Sequence, residues 1–215
     1  MPPTPYQPSL LNLASLTPDP VAGLERFESA AWQVDDLFAN VPFHIAGSVL
    51  EPCSGHGALT KPLRERGLTV ITNDIDPRVA ADMHYDTRDP NALWPGRDFS
   101  DMAPVDWVIT NPPFSLAVPI FLNMVNRARL GVIFQHRITF AEPTIERDQL
   151  FAEYKPNGMI VMMRYSFLKD GGTDSATTAW FVWLTGNPPL HSGATEYQVF
   201  SKYAEFFRIA RRHST

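Results

Sequence analysis

Asn111, Pro112, Pro113 and Phe114 follow the apolar run "DWVIT" with an amide, two prolines and an aromatic ring. Two successive prolines have no N–H to give a sheet ladder, so the strand ends at Thr110 or Asn111 and a stiff, extended loop follows. Such a turn suits a planar exocyclic amine on an adenine-like ring. The lone pair of that amine is delocalised, which makes the nitrogen a poor nucleophile. The side-chain oxygen of Asn111 and the backbone carbonyl of Pro112, both accepting from the NH₂, would draw the lone pair out of conjugation and favour the transition state. Pro112 and Pro113 hold that carbonyl rigidly, and preorganisation gives the effect its strength. The Phe114 ring can stack on a base, worth about 1–3 kcal/mol. No strong general base is needed, because the amine becomes acidic once alkylated. Asn-Pro-Pro is also a common turn and Phe114 could cap the core, so the four residues alone leave both readings open.

A second constellation precedes it. "VLEPCSGHGAL" sets Gly55 and Gly57 directly after a strand and before a helix. Glycines there let the backbone turn sharply and approach a ligand, while the helix N-terminus supplies N–H groups. Asp74 closes the next strand 17 residues after Gly57, near the spacing of about 20 at which a carboxylate takes ribose hydroxyls in nucleotide-binding sheets. The loop lacks the third glycine of the dinucleotide form. Glu51 and Pro52 ahead of it are awkward for a pyrophosphate, and a carboxylate at a strand tip suits a ligand with a cationic amino-acid end. An ordinary strand-to-helix turn is the plainer alternative.

The elements that must position these residues alternate. "SVLEP", "LTVITND", "DWVIT" and "LGVIFQ" read as buried strands, with "GALTKPLRERG" and "SLAVPIFLNMVNRA" as helices between them. This alternation predicts right-handed crossovers and a mostly parallel sheet with helices on both faces. Past the helical "TIERDQLFAEYK", "GMIVMMRYSF" and "TTAWFVWLTG" read as an antiparallel hairpin, and "SKYAEFFRIARRH" as a basic terminal helix. Residues 1–44 read as a proline-rich arm and a helix over "VAGLERFESAAWQVDDLF", with 45–215 as the main domain.

The chain has 215 residues, 44% of them hydrophobic, a formal net charge of -5, one cysteine and six histidines. That length suits one domain with a full core. A single cysteine rules out a disulfide framework or a Cys-rich zinc site, and the histidines show no ligand spacing, so no metal is expected. No charged, apolar leader and no apolar run of about 18 residues is present, so neither export nor membrane insertion is expected and the location is cytoplasmic. Mild acidity argues against a broad phosphate-binding surface and leaves a local basic patch open.

In their order and spacing, "VLEPCSGHGAL", "ITNDID" and "DWVITNPPF" resemble class I S-adenosylmethionine-dependent methyltransferases, most of all the amino-methylating branch that includes N6-adenine DNA methyltransferases. The resemblance covers about residues 45–185, and "SFLKDGGTDSATTAWFVW" resembles small phage-borne forms more loosely. It implies an α/β, Rossmann-like methyltransferase fold of seven strands with a C-terminal antiparallel hairpin. It further implies that Glu51, Pro52, Ser54, Gly55 and Gly57 hold the methionine part of S-adenosylmethionine, with Asn111 alongside. Asp74, with Ile75, takes the ribose, and Asp86 faces the adenine amine with Asp89 as its rival. Asn111, Pro112, Pro113 and Phe114 form the target pocket, and Thr17 and "TPDP" are candidates for closing over the cofactor.

The implied reaction is methyl transfer to adenine N6, with DNA favoured over RNA and the base flipped out. Phe rather than Tyr at 114 leans toward a nucleic-acid base. Methylation of adenine in RNA or of a protein glutamine stays open, as does a cofactor-binding, inactive partner subunit. No separate recognition domain is evident, so site choice falls to short loops, a homodimer mate or a partner. Thr173, Asp174 and Ser175 in "KDGGTDS" read equally as substrate contacts or an exposed turn. Lys202, Arg208, Arg211 and Arg212 read as a solvated face rather than phosphate contacts. Cys53 reads as a packing residue, His56 as a loop histidine, and Asp76 and Asp82 as solvated charges. One face of "WFVW" is expected in the core.

Overall fold

The computed structural model describes residues 29–89, 93–94, 97–98, 103–142, 144–162, 177–191 and 206–209. In chain order the elements are α1 (Ala31–Asn40), β1 (Ser48–Glu51), α2 (Thr60–Glu65), β2 (Thr69–Thr72), β3 (Leu93–Trp94), β4 (Arg97–Asp98), β5 (Val105–Thr110), α3 (Ala117–Met124), β6 (Ala128–Arg137), α4 (Ile145–Glu153), β7 (Gly158–Val161), β8 (Thr178–Leu184) and β9 (Phe206–Ile209). β3 and β4 form a separate two-residue ribbon that has no counterpart in the sequence reading.

The body of the sheet runs β2-β1-β5-β6-β8-β7, and β9 lies parallel against the outer side of β7. β2, β1, β5 and β6 are mutually parallel, whereas β8 is antiparallel to both β6 and β7. The residues joining β7 to β8 lie outside the described residues. The basic terminal helix is corrected at 206–209, which form a strand. Without it, the edge of β7 would present unpaired N–H and C=O groups, and the aromatic "FFRI" favours pairing over helix.

Period-2 alternation sends neighbouring strand residues to opposite faces. Leu50, Val108, Val132, Phe134, Phe181 and Trp183 pack with Ile120, Phe121 and Met124 of α3 and Leu150 of α4. Val49, Trp107, Ile109, Ile133, Trp180 and Val182 pack on the other side with Val34 and Leu37 of α1 and Leu63 of α2. Both faces of "WFVW" are therefore core, where the sequence led to one.

Local chemistry sets the boundaries. Pro112 and Pro113 stop β5, and the Leu116 N–H donates to the Pro113 carbonyl at 2.9 Å, opening a single 3-10 turn that leads into α3. Thr144 caps α4 by accepting the Arg147 N–H at 3.3 Å. Ala30 is extended (φ -82°, ψ 146°), so α1 begins at Ala31 instead of running through Ser29 and Ala30. Its first turn is closed by the Ala30 N–H donating to Gln33 Oε1 at 2.7 Å. The earlier part of that expected helix, Thr17 and "TPDP" lie outside the described residues. Among the described residues, no helix is long and apolar enough to cross a membrane.

Candidate functional site

β1 is followed by β2 on one side and is flanked by β5 on the other, so the chain reverses its direction of winding between β1 and β5. Loops leaving the carboxyl ends of two such strands diverge and open a crevice, the usual ligand position in an open α/β sheet. The register Val49↔Trp107 and Leu50↔Val108 brings the ends of the two strands level. The turns at Gly55 and at Asn111 therefore leave neighbouring strands at the same edge of the sheet.

Glu51 is buried at the tip of β1, where Thr60 Oγ1 donates to its Oε2. Burial pushes its carboxyl up to about 8 and Asp74 adds to the rise, while the Thr60 bond and the Arg64 charge oppose it. Pro52 and Ser54 are buried behind it. The Ser54 hydroxyl has no hydrogen-bond partner among the described residues.

Gly55 has φ 51° and Gly57 φ 82°, the left-handed region that L side chains rarely adopt. Among the described residues, a Cβ at Gly55 would meet nothing within 4 Å, so they leave the turn open on that side. Its N–H donates to Asp74 Oδ2 at 2.7 Å, and Asp74 Oδ1 accepts the Asp76 N–H at 2.9 Å. Asp74 thus braces the glycine turn, and each oxygen keeps a second lone pair for a ligand hydroxyl. Ile75 beside it is half-buried.

Asn73, fully buried, ties this wall together. Its Nδ2 donates to the carbonyls of Pro52 (3.0 Å) and Tyr85 (3.1 Å), and its Oδ1 accepts the Tyr85 N–H at 3.1 Å. Asp86 next door is clamped by Arg88, whose Nε lies 2.8 Å from Oδ1. Burial acts to raise the Asp86 carboxyl, and the Arg88 bonds and charge together outweigh it and hold it low. Asp89 is exposed, its carbonyl accepting from Asn123 Nδ2 at 3.2 Å.

One expectation needs correction here. Asp76 is buried, not solvated, with Arg78 Nε 2.7 Å from its Oδ1. Asp82 is exposed, yet it accepts both the N–H and the hydroxyl of Thr72 at 2.8 Å and so ties down β2. Cys53 is half-buried against the Thr87 hydroxyl, and burial followed by the Asp74 charge pushes its thiol up to about 12. That leaves little of the reactive thiolate at neutral pH. His56 is exposed.

On the opposite wall, Asn111 Nδ2 donates to Ser29 Oγ at 3.1 Å, and the Ser29 hydroxyl donates to Gln135 Oε1. Phe114 sits 4.7 Å from the His136 ring, centroid to centroid, and the Arg137 guanidinium lies over its face at 4.7 Å. His136 Nε2 lies 3.2 Å from the Phe114 carbonyl oxygen and Nδ1 3.3 Å from that of Arg137. Burial lowers His136 to about 4, against the pull of the Phe114 and Arg137 carbonyls, so the ring is neutral at pH 7 and its single N–H donates to one of the two. Ser29, Thr60, Asn73, Gln135, His136 and Arg137 were absent from the sequence reading. Their partners are far along the chain or carry no motif, and only the end of β6 falling beside β5 could have pointed to the last three. Thr173, Asp174 and Ser175 lie outside the described residues. Among the described residues, no group of three or more His, Cys, Asp or Glu could hold a metal ion.

The turn fits a ligand with an amino-acid end. Among the described residues, it offers a buried acid at Glu51, an unpartnered hydroxyl at Ser54 and open space beside Gly55. A desolvated carboxyl is best matched by a cation, which restores its charged form.

No protein-family model matches this sequence, and no curated protein matches it in sequence. Solved structures do match in fold. A Listeria monocytogenes protein described as a class I S-adenosylmethionine-dependent methyltransferase superposes with TM-score 0.52 at 12% identity, over 88% of this chain and 68% of that one. The methyltransferase subunit of a type I restriction-modification system from Streptococcus thermophilus gives TM-score 0.51 at 12% identity, over 80% of this chain and 46% of that one. A dimethyladenosine transferase from Plasmodium falciparum gives TM-score 0.50 at 15% identity, over 74% and 62%. This chain spans about two thirds of the first and less than half of the second. The mixed α/β sheet, with its switch point between β1 and β5, has the fold of class I S-adenosylmethionine-dependent methyltransferases.

Proposed function

We propose that the protein transfers a methyl group from S-adenosylmethionine to the exocyclic N6 amine of adenine in DNA. The observation that carries this reading is the pairing of two turns at one sheet edge, the open glycine turn after β1 and the rigid Asn-Pro-Pro-Phe turn after β5. When bound, the cofactor supplies a methyl on a sulfonium, which departs as a neutral thioether. Glu51, Pro52, Ser54, Gly55 and Gly57 hold its amino-acid end, Asp74 and Ile75 its ribose, and Asp86 the side of its adenine.

Asn111 Oδ1 and the Pro112 carbonyl accept from the target amine and direct its lone pair at the methyl group. The N–C bond forms as the S–C bond breaks, and the surplus amine proton leaves to solvent. Phe114 stacks on the flipped base, with His136 fixing the ring from behind. The restriction-modification subunit among the fold neighbours supports a DNA substrate, and the dimethyladenosine transferase supports adenine as the acceptor.

Incubation with labelled cofactor and unmodified DNA, RNA and protein in parallel, followed by mass analysis, tests the reading. N6-methyladenine in DNA is expected. Label in RNA, in a protein glutamine or at another base refutes the DNA-adenine assignment, and folded protein that binds no cofactor refutes the methyltransferase reading. Asn111→Ala should abolish transfer while the protein stays folded and still binds cofactor.

A further inference from the structure

Asn111 is one end of a polar chain that joins β5, the residue before α1 and β6. Its Nδ2 donates to Ser29 Oγ at 3.1 Å, and Ser29 donates onward to Gln135 Oε1. Ser29 precedes α1, Gln135 lies near the end of β6, and both are buried. A hydroxyl carries one proton. With that proton committed to Gln135, Ser29 can only accept from Asn111. In this arrangement the Asn111 amide turns its NH₂ toward Ser29 and carries Oδ1 on its other arm. Flipped by half a turn, the amide would meet a substrate amine with another NH₂, donor against donor, and could draw out no lone pair.

We propose that Ser29, held by Gln135, is a positioning residue that sets the orientation of the Asn111 amide and thereby makes position 111 a hydrogen-bond acceptor for the target amine. The consequence for catalysis rests on the methyltransferase reading above, whereas the orientation of the amide does not. Ser29 touches neither substrate nor cofactor in this scheme. It acts by excluding the wrong one of two nearly isosteric amide states.

Wild type, Ser29→Ala and Ser29→Thr decide it in two measurements. In steady-state transfer to the unmodified form of the nucleic acid that wild type methylates, Ser29→Ala should lower kcat about 10- to 100-fold, as loss of orientation does. The KM for S-adenosylmethionine should stay unchanged, and Ser29→Thr, which keeps the hydroxyl, should recover most of the rate. In ¹⁵N-labelled protein without substrate, the Asn111 side-chain NH₂ signals should shift and exchange faster with solvent in Ser29→Ala. Equal kcat in wild type and Ser29→Ala overturns the proposal, and so do NH₂ signals that ignore the substitution. If wild type methylates none of DNA, RNA or protein, the functional reading fails, and the NH₂ signals alone decide the orientation.

Discussion

Replacing Glu51 by Gln removes one titrating group and little else, because Thr60 can still donate to the side-chain oxygen at that place. Burial lifts the Glu51 carboxyl from 4.5 to about 8. A carboxyl raised in the folded state stabilises the protein fully below its unfolded value, and that stability is lost as pH climbs toward the folded value. At about 1.4 kcal/mol per pH unit the full span amounts to about 5 kcal/mol. His136, lowered to about 4, works in the opposite sense between 4 and 6.5, where the fold loses stability as pH falls. Glu51 therefore stands out between pH 6.5 and 8, a stretch worth about 2 kcal/mol. For a chain of this size that is about 4–8 °C in Tm.

Thermal denaturation of wild type and Glu51→Gln across this range should show the variant gaining that margin as pH rises. A cationic ligand amine favours the ionised carboxyl, so cofactor binding at pH 7 should release nearly one proton from wild type and none from Glu51→Gln. Calorimetric titration in buffers of different ionisation enthalpy reads that number. A Tm difference that is flat from pH 6.5 to 8, or equal proton release by both proteins, would refute the assignment of a protonated Glu51.

Two further substitutions probe the frame around the site. His136→Ala removes the support behind Phe114 and should raise the KM for nucleic acid about 5-fold or more, the lower end of a lost stacking interaction. Cofactor affinity measured by calorimetry should be unchanged, and relative to wild type the variant should gain stability as pH falls from 6.5 to 4. Gly131→Ala would set a Cβ 2.6 Å from the Trp183 carbonyl oxygen and 2.9 Å from Trp107 Cζ3. Overpacking of that kind costs about 1–3 kcal/mol and should lower Tm by about 2–12 °C in a melting curve.

The strands on either side of the switch point were legible because their signals are local. β1, β2, β5 and β6 are short apolar runs that end at proline, glycine or a charge, and those residues act within two or three positions of themselves. The turns at Gly55 and Asn111 were legible for the same reason. What escaped depends on partners brought from afar. Ser29 joins Asn111 to Gln135 only because the start of α1 and the end of β6 converge on β5, and their sequence surroundings carry no pattern. Asp76 resembles any surface carboxylate until the fold around it buries the side chain. The segment ending in "FFRIARRH" has charges enough for a helix, and only the open edge of β7 gives Phe206–Ile209 a reason to extend. "WFVW" alternates as a half-exposed strand should, yet helices cover the sheet on both sides.

The Asn73 amide has a mechanical consequence. By gripping Pro52 with one arm and Tyr85 with both, it couples the turn after β1 to the segment leading into Asp86. Displacement of either segment strains the same three bonds. The two segments therefore form a single stiff bracket, and a small molecule that seats against one end meets the other already in register.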